Sequence, residues 1–299
     1  MYKGSAKRLL LTLAIFIVTV GALRAQSGVF DRTGSVAGHG TYSSVPMEIV
    51  DLFTGNLMLA YRDIFLPGPE GLNLEVWRVY NSKVLGDGSP GQGSVQAYPK
   101  SMLGLGWSMH MGILHQATSS LPIIEFPDGR RETAYPDNYG VGKHITKGFL
   151  KLNKGIPPLI DPRLYFQNGV VWTFSRSASV PLAGGGDETV YFVTKIEDAK
   201  GNSIQVDYDP ADNYRSISSI TDACGRVITF HKAYNGSNPA RLTSITLSNF
   251  DGTHDVTYSY SVSAFANGYY RLDSFTPPCP NPATFEYNDG ASERFLRTA

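Results

Sequence analysis

TKIEDAKGNSIQVDYD from Thr194, SSITDACGRVITFHKAY from Ser218, TSITLSNFDGTHDVTYSY from Thr243 and DSFTPPCPNPATFEYND from Asp273 share one plan. Each holds a short apolar strand, a polar turn and a second strand that ends on an aromatic. The anchor residues Ile196, Ile220, Ile245 and Phe275 recur at spacings of 24, 25 and 30. A period in that range marks a solenoid, propeller or array. Asp198, Asp222 and Asp251, with Gly201, Gly225 and Gly252, supply the turn chemistry. A lone hairpin cannot bury its apolar face and is marginal in water. Hairpins laid edge to edge pair their open strands and bury a continuous face. In the second strands Ile204, Val206 and Tyr208 point one way. Val227, Thr229 and His231 share a face opposite Ile228 and Phe230. Alternation leaves open which face is inner.

Upstream, the pattern is again strand and turn. Residues 47–68 read as two strands about a Thr54-Gly55-Asn56 turn, closed by Pro67-Gly68. In the next strand Leu72, Leu74, Val76, Arg78 and Tyr80 share one face. Residues 81–101 form a long loop rich in Gly, Ser and Pro, read as an insertion or mobile flap. Pro127-Asp128-Gly129 and Asn168-Gly169 mark two more hairpins. No stretch after the leader has a sustained helical period. The fold class expected is all-β: stacked antiparallel β-hairpin repeats in an extended or curling sheet, a partial β-shell.

Twenty-six basic residues balance 26 acidic ones among 299, which removes the basic excess of a nucleic-acid binder. Lys3, Lys7 and Arg8 precede an apolar run from Leu9 to Leu23 and a small residue at Ala25. These are the parts of a signal peptide cleaved after Ala25, and an uncleaved anchor is the alternative. Fifteen helical residues rise about 22 Å, short of a ~30 Å hydrocarbon core. No later segment is long and apolar enough to span a bilayer, so the product is expected to be secreted or held at the cell surface. The domains expected are a leader over 1–25, a flexible lead-in over 26–45, an N-terminal β domain over 46–190, repeats over 191–290 and a tail over 291–299.

The repeats resemble the Rhs/YD-repeat family, whose units read roughly L-x-S-I-T-D-x-x-G-x-x-x-x-F-x-Y, then a turn and R-L. RSISSITDACGR from Arg215 and RLTSIT from Arg241 carry the likeness. VDLFTGNLMLAYRDIFLPGPEGLNLEVWRVYNS from Val50, GLGW at 104–107 and FPDGRR at 126–131 are similar to the family's N-terminal portion. The third and fourth units depart from the pattern, with a longer Ser248–Asp251 turn and Pro277-Pro278-Cys279-Pro280. The resemblance implies repeats that coil into a hollow β-shell, often around a C-terminal effector. About four units are too few to close one, so the chain is expected to be a fragment or truncated product whose partners are downstream repeats and an effector of the same polypeptide.

Candidate chemistry is sparse. His39, His110, His115, His144, His231 and His254 form no metal-ligand spacing. His110 and His115, five apart, face opposite sides of a regular strand. Gly104-Leu105-Gly106 lacks the Lys and following helix of a phosphate loop, no G-x-S-x-G elbow occurs, and Asp207-Tyr208-Asp209 is only the start of a Ca²⁺ loop. No enzyme activity, metal or cofactor is expected. Cys224 and Cys279 each lie four residues past an anchor. Hairpins at about 4.8 Å per strand would hold them ~19 Å apart, which favours free or intermolecular thiols over a disulfide. The function expected is an exported structural scaffold. The alternative is an adhesion module that binds a surface glycan or protein through Trp77, Trp107, Trp172, Tyr269 and Tyr270.

Overall fold

The computed structural model describes residues 41–42, 47–51, 56–82, 101–116, 121–137, 142–155, 161–181, 187–212, 216–234, 240–248, 255–265, 269–279, 282–287 and 296–298. The leader, most of the 81–101 loop, Asp251 and Gly252 lie outside the described residues. Within them the chain is all-β and antiparallel, with two single 3-10 turns at Pro69–Gly71 and Pro210–Asp212.

A first sheet runs in order through β1 (Thr41–Tyr42), β2 (Glu48–Asp51), β3 (Asn56–Leu66), β4 (Leu74–Asn81) and β5 (Trp107–Ser108). Thr41 and Tyr42, read from sequence as lead-in, pair with Asp51 and Val50. Asn56, read as a turn residue, opens β3 opposite Asp51 and is buried.

The second sheet begins with β6 (Ile113–Gln116), β7 (Ile123–Glu125), β8 (Arg131–Pro136), β9 (Lys143–Thr146), β10 (Lys151–Asn153), β11 (Arg163–Tyr165), β12 (Val171–Pro181) and β13 (Asp187–Glu197). Each pairs with the next, and β13 pairs back onto β6, with Val190 opposite His115, so these strands close a ring. The array continues through β14 (Ser203–Tyr208), β15 (Ile217–Thr221), β16 (Val227–Ala233), β17 (Arg241–Ser248), β18 (Asp255–Phe265), β19 (Tyr269–Thr276) and β20 (Ala283–Thr284). A separate pair, β21 (Glu286–Tyr287) and β22 (Leu296–Thr298), follows.

The turns are one device used five times. Phe126, Thr146, Phe166, Asp198 and Asp222 each donate their N–H to the carbonyl four residues on, and their carbonyls accept from the residue three on. That pattern is a three-residue loop with a left-handed residue last. Gly129, Gly169, Gly201 and Gly225 fill the left-handed slot at φ 80–90°, and Phe149 fills it at φ 60°. Asn168 keeps a negative φ, so Asn168-Gly169 makes this wider loop instead of the two-residue turn that the dipeptide alone favours.

The opposite ends carry a second device. Asp207 faces Ser219 and Tyr208 faces Ile217, which leaves Ser218 unopposed; by the same reading Thr194, Thr243 and Asp273 are the extra residues in β13, β17 and β19. Each such bulge lies two residues before an anchor. The Thr194 and Thr243 hydroxyls donate across the gap to the Thr173 and His231 carbonyls. A bulge bends its strand and adds twist, so each repeat carries its own increment of curvature. The inner face, open from sequence, is the one with Ile204, Val206 and Tyr208, then Ile228 and Phe230. All four anchors are buried with them, whereas Val227 and His231 are exposed.

A Cβ at Gly201 or Gly225 meets nothing within 4 Å, so Gly→Ala at either site isolates the left-handed backbone cost. Each is expected to lower stability by about 1 kcal/mol, and Phe149→Gly to raise it by about as much. Urea melts check both signs.

Candidate functional site

The strongest long-range feature joins the first sheet to the last repeats. Alternation along β4 puts Arg78 in a row with Leu74, Val76 and Tyr80, all buried. A guanidinium in that row needs an anion. The bulge at Asp63, between the Arg62–Trp77 and Ile64–Val76 pairs, supplies it. Arg78 Nε and Nη2 donate to the two Asp63 oxygens at 3.0 and 3.1 Å. The Tyr260 hydroxyl of β18 donates to Asp63 Oδ2 at 2.9 Å. Tyr61, Trp107, Phe275 and Phe285 surround the guanidinium with ring centroids 4.3–5.3 Å from its carbon, a cation–π cage. Burial pushes the Asp63 carboxyl up against the pull of Arg78. Burial and the Asp63 charge hold the Tyr260 hydroxyl well above its usual range.

The GLGW segment completes the joint. Leu105 donates its N–H to the Tyr270 carbonyl at 2.8 Å, and Met102 accepts from Leu242 at 2.9 Å. Gly104, at φ 95°, has no room for a side chain: a Cβ would sit 2.5 Å from the Tyr270 carbonyl oxygen. Gly104 thus serves close backbone approach to the repeats, while Gly106, at φ 75°, leaves room for the Tyr80 ring of the first sheet. At the far end of the first sheet, Arg226 donates to the Pro67 carbonyl at 2.6 Å.

A second buried polar set lies on β6–β8. His110 and His115 bring Nε2 to the two Glu125 oxygens, each at 3.1 Å, and Arg131 Nη2 pairs with Glu125 at 2.5 Å. The expectation that the two histidines point apart is overturned. His110 precedes β6, and Gly112, at φ 131°, breaks the alternation between them. The Gly112 N–H donates to His110 Nδ1 at 3.2 Å, which makes His110 Nε2 the donor to Glu125. Burial would push the Glu125 carboxyl up, but the Arg131 charge and the two imidazole hydrogen bonds outweigh it and hold it well below the usual carboxylate range. Among the described residues no group of three or more His, Cys, Asp or Glu could hold a metal ion. The set binds a segment that has no regular backbone ladder of its own.

The turn residues read from sequence do backbone work. Asp198 Oδ1 accepts the Lys200 and Asn202 N–H groups, and Asp222 Oδ1 accepts those of Cys224 and Arg226. Cys224 and Cys279 are exposed free thiols. Asp209 accepts from Lys232 at 2.8 Å and from Tyr234, and Asp207 accepts from the Ser219 hydroxyl. His144 contacts the Gly142 carbonyl and His231 the Thr246 hydroxyl; His39 and His254 lie outside the described residues. Of the candidate sugar-stacking rings, Trp107, Trp172 and Tyr270 are buried. Trp77 donates its indole N–H to Glu75, and nothing is described of the Tyr269 side chain.

Residues 47–132 match a family model described as a domain of unknown function, DUF6531. No curated protein matches the chain. Among solved structures, the chain is similar to the TcdB2-TccC3 crystal structure, with TM-score 0.45, 11% identity and coverage of 84% of this chain and 17% of that one. It is also similar to the Photorhabdus luminescens Tc holotoxin pore carrying TccC3-D651A, with TM-score 0.47, 11% identity and coverage of 86% of this chain and 16% of that one. The chain therefore spans about a sixth of the length of the structures it resembles.

Two outcomes test the buried sets. Asp63→Asn removes the charge opposite a buried Arg78 and is expected to cost about 3 kcal/mol in denaturant melts. Glu125 has an ordinary value of 4.5 and a folded value well below it. Its contribution is therefore complete above pH 4.5 and lost as pH falls below that, because the unfolded chain takes up the proton first. Glu125→Gln is expected to flatten that acid limb; an unchanged slope would assign it to other carboxylates.

Proposed function

We propose that this chain is an exported, non-catalytic structural scaffold, the N-terminal part of an Rhs/YD-repeat β-shell that encloses or presents a C-terminal effector of the same polypeptide. The observation that carries this reading is the bulge at Thr194, Ser218, Thr243 and Asp273, once per repeat and always on the same side of the anchor. A bend repeated in one register turns an array of hairpins into a curved wall. The buried anchor row gives that wall a dry inner side along β13–β19.

Three further features support it. The repeat sequences resemble the family's units, the leader has the parts of an export signal, and the DUF6531 match over 47–132 takes in β2–β5 of the sheet that docks on the repeats. Within each buried ionic set the carboxylate is held by its own neighbours, Asp63 by Arg78 and Tyr260 and Glu125 by His110, His115 and Arg131. A wall needs backbone pairing and shape, and no group need act on a substrate.

Electron microscopy of the native gene product, purified from its source cells, tests the reading. The hairpin array is expected to run on past β20 into a closed wall with a lumen. A particle in which the β19–β20 edge meets only solvent, with no wall beyond it, would overturn it.

A further inference from the structure

One of the five tight turns departs from its sisters. Where the other four place glycine, the loop between β9 and β10 places Phe149 in the left-handed region, and the residue is 68% exposed. A side chain there strains the backbone, and a phenyl ring in water forgoes the gain from burial. Two costs at one hairpin tip point to a use outside the fold.

The face beneath that tip is predominantly basic, with Asp137 beside Lys143 at its β8 end. Register aligns Tyr135, Ile145, Lys151 and Tyr165 in a single row across β8–β11. Leu152 and Leu164, on the opposite side, are buried, while Tyr135, Lys151 and Tyr165 are exposed. Alternation places Lys143 and Arg163 on the exposed side too, and Lys147 lies in the turn. Residues 143–154 contain four lysines and no carboxylate. Taking in residues 137–165 adds Arg163, Asp137 and Asp161, five cations against two anions, or +3 in a chain of zero net charge. The Asp161 carboxylate already accepts the Ser175 hydroxyl at 2.6 Å.

We propose that this face docks on an anionic lipid bilayer, with Phe149 entering the interfacial layer and the lysines meeting headgroup phosphates. An aromatic ring on a projecting tip, tyrosines behind it and a spread of lysines is the combination that such an interface favours. The row from β8 to β11 spans about 14 Å, wide enough for several headgroups. Lysines, as point charges on flexible stems, suit diffuse attraction to many phosphates and need no fixed bidentate partner.

Flotation of the full chain with phosphatidylcholine vesicles, with and without a quarter phosphatidylglycerol, tests the proposal. The chain is expected to float with the anionic vesicles alone. Lys147→Gln and Lys151→Gln are each expected to weaken binding about fivefold. Phe149→Gly is expected to weaken it about tenfold, while its urea midpoint stays at or above that of the parent, which separates lost docking from lost folding. No binding to the anionic vesicles, or full binding by Phe149→Gly, would overturn the proposal. So would equal binding to soluble polyglutamate that ignores Phe149, which would assign the face to an acidic macromolecule.

Discussion

Backbone pairing along β13 determines how everything else is arranged. One edge of this eleven-residue strand is taken by β12 from Val171 to Pro181. The other edge is shared: Thr189–Phe192 pair with β6, and Lys195–Glu197 pair with β14. The first half of β13 therefore closes a ring, and the second half launches an open array. The changeover falls at Thr194, the unopposed residue, where the strand bends between its two neighbours. Had Thr194 been paired in register, the side chains beyond it would have switched faces, and Ile196 could not have joined the buried row that runs on to Phe275.

An open array has one wet edge and one dry face, and the first sheet serves both. Its face packs on the inner row of the repeats, while the backbone at Met102 and Leu105 occupies the Leu242 amide and the Tyr270 carbonyl. Arg78 is placed where these surfaces meet. A leucine there would fill the same space, but it would not select Asp63 from β3 and Tyr260 from β18 at once. A buried ion pair of this kind adds little to stability beyond what apolar packing gives, and its plainest effect is on register. The hydrogen bond to Tyr260 fixes which hairpin of an otherwise repetitive array the first sheet covers.

Much of this was legible in the residues. Short-range signals were strong because the turn chemistry is local: Asp198 and Asp222 accept amides only two and four residues away, and the glycine after each follows at a fixed offset. The Arg78 anomaly was visible too, as a charge in a row of Leu74, Val76 and Tyr80. The ring was not legible, since alternation gives a strand its faces but not its distant partner, and β6 meets β13 more than seventy residues later. The meeting of His110 and His115 at Glu125 was hidden by Gly112, whose positive φ has no counterpart in residue spacing. The bulges could have been found: Thr194, Ser218, Thr243 and Asp273 are each polar and each two places before an anchor. The Phe149 turn escaped because its left-handed residue is the one that carries a side chain.

The two buried polar sets differ in what they leave for chemistry. At Glu125 both oxygens are taken, His110 has spent one nitrogen on Glu125 and the other on the Gly112 amide, and the depressed carboxyl is the mark of an anion already compensated. At Asp63 the balance is less complete: burial lifts the carboxyl, and Arg78 Nη1 makes no hydrogen bond within the described residues. Yet the guanidinium carbon lies among four aromatic rings, whose faces offer attraction without a proton acceptor. A guanidinium satisfied partly by ring faces tolerates small shifts of its cage better than one held by five directed bonds. That tolerance suits a joint between a small sheet and a long antiparallel array whose strands carry bulges.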